Sequence, residues 1–279
     1  MRRALALAFG IAFVAGGVAH EARAQVPMGT PIEARHMAGH RAAYRLTLDR
    51  ARENSDIAQA SGAMLFEVLD ACDGWTVRQR LTLKLVDRDG NETETVSDYS
   101  TYETRDGARL RFALTQSSQG AVSSQVQGEA EVTAAGGTVR FVQPQPRETP
   151  LPQGTLLPMA HTIATLNAAR AGSRILAVPL LDGTTAGGAQ DTTTVMSPWQ
   201  AAAMTDPRFS ALVPLGSSRM RIAFFDRDPG SQSGGAGTPD YEVSLRYYEN
   251  GVADELKMDF GEFVVDGRMV ELVVLPSPC

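Results

Sequence analysis

The chain has 279 residues, 43% of them hydrophobic but only 6% aromatic, two cysteines and a formal charge of −6. Moderate acidity favours solubility and argues against nucleic acid or an anionic membrane face as a partner. The length suits one large all-β domain or two ordinary ones, and no low-complexity linker divides it.

The chain opens MRRALALAFGIAFVAGGVAHEARAQVP. Arg2 and Arg3 form a short basic region, residues 4–19 an apolar run, and Ala22-Arg23-Ala24 places small residues where a signal peptidase reads them. A membrane span needs about 20 apolar residues; this run has 16 and contains three glycines. The expectation is a cleaved Sec-type signal over residues 1–24 and a periplasmic product over residues 25–279 with no transmembrane anchor. Cleavage removes three arginines and one glutamate, so the formal charge moves from −6 to −8.

Beyond the leader, alternation with period two recurs far more often than helical periodicity. Tyr44, Leu46 and Leu48 alternate with Arg45, Thr47 and Asp49. Over residues 75–85, Trp75, Val77, Leu81, Leu83 and Leu85 share one face, interrupted only by Gln79. The stretch GTLLPMAHTIATLNAARAGSR breaks the rule and predicts one helix over about residues 155–171. Thr155 is its candidate cap, Pro158 fits the first turn, and Gly172 stops it. Leu156, Met159, Ile163 and Leu166 recur on one helical face, which would plug or cover one side of the sheet. Residues 183–191 and 228–239 read as loops. Near the end Val243, Leu245 and Tyr247 alternate with polar residues, and so do Leu256, Met258 and Phe260.

One buried face and one wet face is the pattern of antiparallel sheet. Hairpin turns are predicted at Asp89-Gly90-Asn91, Asp106-Gly107, Gly136-Gly137, Asn250-Gly251 and Asp266-Gly267. Strands then recur about every 10 to 14 residues, and the expected fold is a mainly β meander that curls into a barrel or spiral.

Cys72 and Cys279 are the only cysteines. In an oxidising compartment two thiols tend to pair. A bridge between them would tie the end of the chain to an early strand and close a loop of about 208 residues, worth about 5 kcal/mol at most. An intermolecular bridge and two free thiols are the competing readings.

Catalytic chemistry finds no positive signal. His36 and His40 have a spacing that suits a metal on a helix, but they lie in a segment read as mobile or extended, and no third ligand is evident. His161, on the helix, reads as a packed or capping histidine rather than a general base. Residues 87–91 read as a hairpin turn rather than a calcium loop, and residues 230–234 carry glutamine where a nucleophile elbow needs serine. No catalytic residue, metal site or cofactor is assigned.

The strand opening HRAAYRLTL, then SGAMLFEVLDACDGWTVRQRL, the helix LLPMAHTIATLNAARAG, the following RILAVPLLDG and the terminal VELVVLPSPC together resemble the EipB cell-envelope integrity family of alphaproteobacterial periplasmic proteins. The resemblance covers nearly all of residues 25–279. It implies a single β-spiral domain, an open barrel-like curl with one helix on its concave side. It also implies a disulfide between Cys72 and Cys279, a role in maintaining the cell envelope and no enzymatic activity. Leu81, Leu83 and Leu85 with Leu256, Met258 and Phe260 form the candidate apolar face for capturing a peptide, a lipid or a second copy of the chain. The alternatives are that these faces close around the helix as plain core, that the protein is a scaffold for envelope partners, or that it is an unrecognised enzyme.

Overall fold

A computed structural model describes residues 29–202, 209–227 and 237–279. The predicted leader, its cleavage site and most of the predicted loop at 228–239 lie outside the described residues. Eight strands precede the helix: β1 (His40–Ala51), β2 (Ile57–Asp70), β3 (Gly74–Asp87), β4 (Glu92–Thr104), β5 (Arg109–Ser118), β6 (Ala121–Thr133), β7 (Gly136–Gln143) and β8 (Arg147–Leu151). The helix α1 (Pro158–Arg170) follows. Six more strands follow among the described residues: β9 (Ile175–Leu180), β10 (Gln190–Met196), β11 (Ser217–Phe225), β12 (Tyr241–Tyr248), β13 (Ala253–Asp259) and β14 (Phe263–Val274).

All fourteen strands form one antiparallel sheet in the order β8-β7-β6-β5-β4-β3-β2-β1-β14-β13-β12-β11-β10-β9. Two meanders are therefore joined where the first strand lies beside the last, from His40 opposite Val274 to Ala51 opposite Phe263. The right-handed twist of neighbouring strands accumulates along such a sheet and curls it. β8 and β9 are its edges and do not pair with each other, so the sheet is a curl and not a closed barrel. The segment after β8 forms an isolated parallel bridge to β9: Leu156 N–H donates to Pro179 O at 2.9 Å, and Leu181 N–H to Leu156 O at 3.0 Å.

The register defines two ends of the curl. His40, Asp70, Trp75, Glu103, Met196 and Ser217 lie at one end. α1 lies across that end. Its first turn is bound by Glu103 on β4, and Asn167 in its last turn bonds both the N–H and the O of Ile32 at 2.7 Å. Arg170 lies over the Trp199 ring, 5.6 Å from its centroid. The helix thus stops one mouth and buries His161, Thr165, Leu166 and Ala169. Met159 and Ile163 pack half-buried against the same core.

A second core forms where the curl overlaps itself. Phe112, Leu114, Val139 and Phe141 from β5 and β7 meet Leu157, Leu181 and Ala189 from the segments around β9. This overlap makes the curl a spiral.

Several local expectations are corrected. The helix begins at Pro158, not at Thr155, with Leu157 as its N-cap; the Thr155 hydroxyl donates to Pro152 O at 2.7 Å. Leu156 belongs to the edge bridge and not to the helical face. Gly136-Gly137 opens β7, the turn being Ala134-Ala135. Asp266-Gly267 lies inside β14, and the turn before it holds Gly261 at φ 86°. A Cβ on Gly267 would meet Leu256 Cβ at 3.0 Å and Leu46 Cδ2 at 3.3 Å, so this glycine serves close strand packing rather than a turn. The predicted loop at 183–191 ends in β10, and Gly183 sits directly against the Phe112 ring.

Cys72 lies in the β2–β3 turn, not in a strand, at φ 69°. It is bonded to Cys279, with 5.6 Å between Cα atoms and a sequence separation of 207. Asp70 organises this corner by accepting from Cys72 N–H at 2.9 Å, Ser277 Oγ at 3.1 Å and the Arg105 guanidinium. Burial disfavours its charge, but those partners outweigh it and hold the carboxyl below the usual carboxylate range.

Candidate functional site

Alternation turns every second side chain inward, and the curl is wide enough to leave a lumen of about 620 Å³. That volume lies within the range of small-ligand sites, about 300–1,000 Å³. One wall is β11–β13, with Ile222, Val243, Leu245, Tyr247, Leu256 and Met258; the facing wall includes Tyr44, Met64, Val77 and Leu81. Met159, His161 and Thr162 of α1 also line it, at the stopped end. At the opposite end stand Asp182, Asp226, Asp240, Tyr241 and Phe260.

Of the predicted apolar face, Leu81, Leu256, Met258 and Phe260 meet in this lumen. Leu83 and Leu85 do not. They share the inward face and the same apolar cluster as Leu81, Leu256 and Met258, but they do not line the lumen. Alternation reports which face a residue occupies and not how far along the curl the packing is closed. Phe260 lies one residue past β13, in the turn. Its ring centroid is 5.2 Å from that of Phe263 and 5.4 Å from that of Tyr241, which in turn lies 5.7 Å from Phe224. Gln79, the one break in the apolar alternation of β3, also lines the lumen.

The histidines are separated by the fold. His36 is exposed in a short 3₁₀ turn, where its Nδ1 accepts from Glu33 N–H at 2.9 Å. His40, read from sequence as mobile or extended, is buried at the start of β1. Among the described residues no group of three or more His, Cys, Asp or Glu is arranged to hold a metal. His161 is buried, its Nε2 3.5 Å from Thr192 Oγ1, and burial pushes its pKa down to about 4.

Sequence reading missed Glu103. Its carboxylate accepts from Met159 N–H at 2.7 Å and from Ala160 N–H at 2.9 Å, so it caps α1 from 56 positions away. Its single sequence signal is a glutamate on the inward side of β4. The residue is 2% exposed. Burial pushes its pKa up to about 7, against the lowering effect of the two N–H bonds and with a further rise from Asp106.

A pH dependence follows, with opposite signs from two groups. Glu103 has a folded pKa above its unfolded value near 4.5, so its contribution is fully present below 4.5 and is lost as pH rises through 7. His161 has a folded pKa below 6.5, so its contribution is present above 6.5 and is lost as pH falls toward 4. Glu103→Gln removes the first titration and leaves the second. From pH 5 to 8 the stability of wild type relative to this variant is expected to fall by roughly 3 kcal/mol. Urea midpoints measured across that range check this, and parallel curves would contradict it.

The EipB-like family profile matches residues 31–276. A relative from Brucella abortus (strain 2308), the cell envelope integrity protein EipB, is 30% identical over 239 residues, covering 84% of this chain and 82% of its own. Among solved structures, a β-barrel-like protein of the DUF1849 domain from Brucella abortus superposes with a TM-score of 0.77 at 27% identity. That match covers 86% of this chain and 99% of the other.

Proposed function

The chain belongs to the EipB-like family, and from that premise we propose that it maintains cell-envelope integrity as an exported, non-enzymatic periplasmic protein that holds a hydrophobic peptide or lipid segment in its lumen. The observation that carries this reading is the lumen itself, stopped at one end by α1 and lined by Leu81, Leu256, Met258 and Phe260. A Cys72–Cys279 bridge suits an oxidising compartment, and the leader over residues 1–24 supplies the export signal.

Mass spectrometry of protein purified from native periplasm is expected to find a co-purified peptide or lipid. Calorimetric titration with apolar peptides and lipid headgroup mimics gives the affinity. Phe260→Ala, which removes an aromatic anchor at the mouth, is expected to weaken binding about tenfold while the fold survives. The capture reading is wrong if nothing binds below millimolar concentration and the protein stays monomeric when concentrated.

A second reading, a scaffold for envelope partners, draws on the edge strand β9. Ile175 is 62% exposed and lies opposite Val195, 51% exposed, on β10. Edge strands offer unpaired backbone groups to a partner strand.

A further inference from the structure

The two walls of the lumen differ in chemistry. β12 and β13 face it with Val243, Leu245, Leu256 and Met258, whereas β3, β4 and β5 set Gln79, Ser97 and Gln116 among the apolar Val77, Leu81 and Leu114. The side chains of Gln79, Ser97 and Gln116 bond to nothing else among the described residues. At the stopped end His40 is 2% exposed and lines the lumen. Its Nδ1 bonds to Ala38 O at 2.8 Å and so carries the proton. Its Nε2 has no partner and offers a lone pair. Burial lowers its pKa and keeps the ring neutral.

The open end has a charge of one sign. Asp182, Asp226 and Asp240 line it, and no lysine or arginine is among the described lining residues. Asp226 accepts from Gln190 Nε2 at 2.6 Å, and its own N–H donates to Asp240 Oδ2 at 2.7 Å. Asp182 accepts from Thr184 N–H at 2.9 Å and from Thr184 Oγ1 at 2.7 Å, both through Oδ1. Beside these carboxylates stand the aromatic rings of Phe224, Tyr241 and Phe260.

These features discriminate between ligand chemistries. A bare alkyl chain would strip Gln79 and Ser97 of water and return no hydrogen bond, and it would leave the buried His40 Nε2 unpaired. An anionic head would meet only carboxylates at the mouth. A peptide satisfies both walls, with apolar side chains against β12–β13 and backbone amides against β3–β5. A cation satisfies the mouth, and the neighbouring aromatic faces add to its attraction.

We infer that the lumen takes a short apolar peptide segment carrying one cationic group, with the cation at Asp182, Asp226 and Asp240 and the amides along Gln79, Ser97 and His40. This rests on the reading of the lumen as a binding site and names its ligand class.

The test titrates the mature protein with acetyl-Leu-Leu-Leu-Lys-amide, its Gln and Glu counterparts, and dodecyltrimethylammonium below its critical micelle concentration. The Lys peptide is expected to bind about tenfold tighter than the Gln peptide and tighter still than the Glu peptide. It is also expected to outbind the surfactant, which has the cation but no amides. Asp182→Asn combined with Asp226→Asn should remove the preference for Lys over Gln. Asp240→Asn, at an exposed position, provides the same readout in a separate variant, and melting curves confirm that each variant folds. Equal affinity for the three peptides overturns the cationic group. Tighter binding of the surfactant than of any peptide overturns the peptide and assigns the lumen to lipid. If no probe binds, the lumen is not a binding site and the reading beneath this inference falls with it.

Discussion

Cys72→Ser is expected to lower the melting temperature by about 10 °C or more. The bridge spans a sequence separation of 207, and closing a loop of that size removes about 5 kcal/mol of chain entropy from the unfolded state. For a chain of this size each kcal/mol moves the midpoint by about 2–4 °C. The native end of the chain also depends on it. Beyond β14 the segment is held by Leu275 N–H bonding to Gly39 O at 2.8 Å and by Ser277 bonding to Asp70 at 3.1 Å. Cys279→Ser and the double variant should match Cys72→Ser, because each removes the same bond. Reductant should bring wild type to the same midpoint. Quantitative thiol labelling of unreduced protein, or a midpoint indifferent to reductant, would refute the pairing.

Leu166→Ala is expected to cost about 3 kcal/mol, as large-to-small changes at closed core sites do. Leu166 is fully buried in the main core, beside Ala169 on the same helix. α1 is fastened to β4 by Glu103 at its first turn, to Ile32 ahead of β1 by Asn167 at its last, and to Thr192 of β10 by His161 between them, and packing along its buried face holds the plug in place. The urea midpoint should fall with an unchanged slope. Val122→Ala on β6, 62% exposed, is the control and should stay within about 0.5 kcal/mol. A loss below about 1 kcal/mol at Leu166 would mean that the helix does not close the curl.

Much of the candidate site was legible at the level of faces and not of depth. Leu81, Leu256 and Met258 line the lumen because period-two alternation needs only the local pleat to hold. Leu83 obeys the same alternation, yet it does not reach the lumen. Asp182, Asp226 and Asp240 carried no signal at all, since they come from two connections, β9–β10 and β11–β12, that the curl brings to one mouth.

The mainly β class, the antiparallel meander and the mid-chain helix were determined locally, by alternation, by Asn-Gly and Asp-Gly turns, and by Pro158 and Gly172. Those signals act over a few residues, where backbone sterics and hydrogen-bond geometry suffice. Only the tertiary structure decided that β1 lies against β14, that Glu103 caps a helix 56 positions away and that Gly267 serves strand packing instead of a turn. Each of these depends on accumulated strand twist and on which distant atoms a side chain meets, and neither quantity is written in a short stretch of chain.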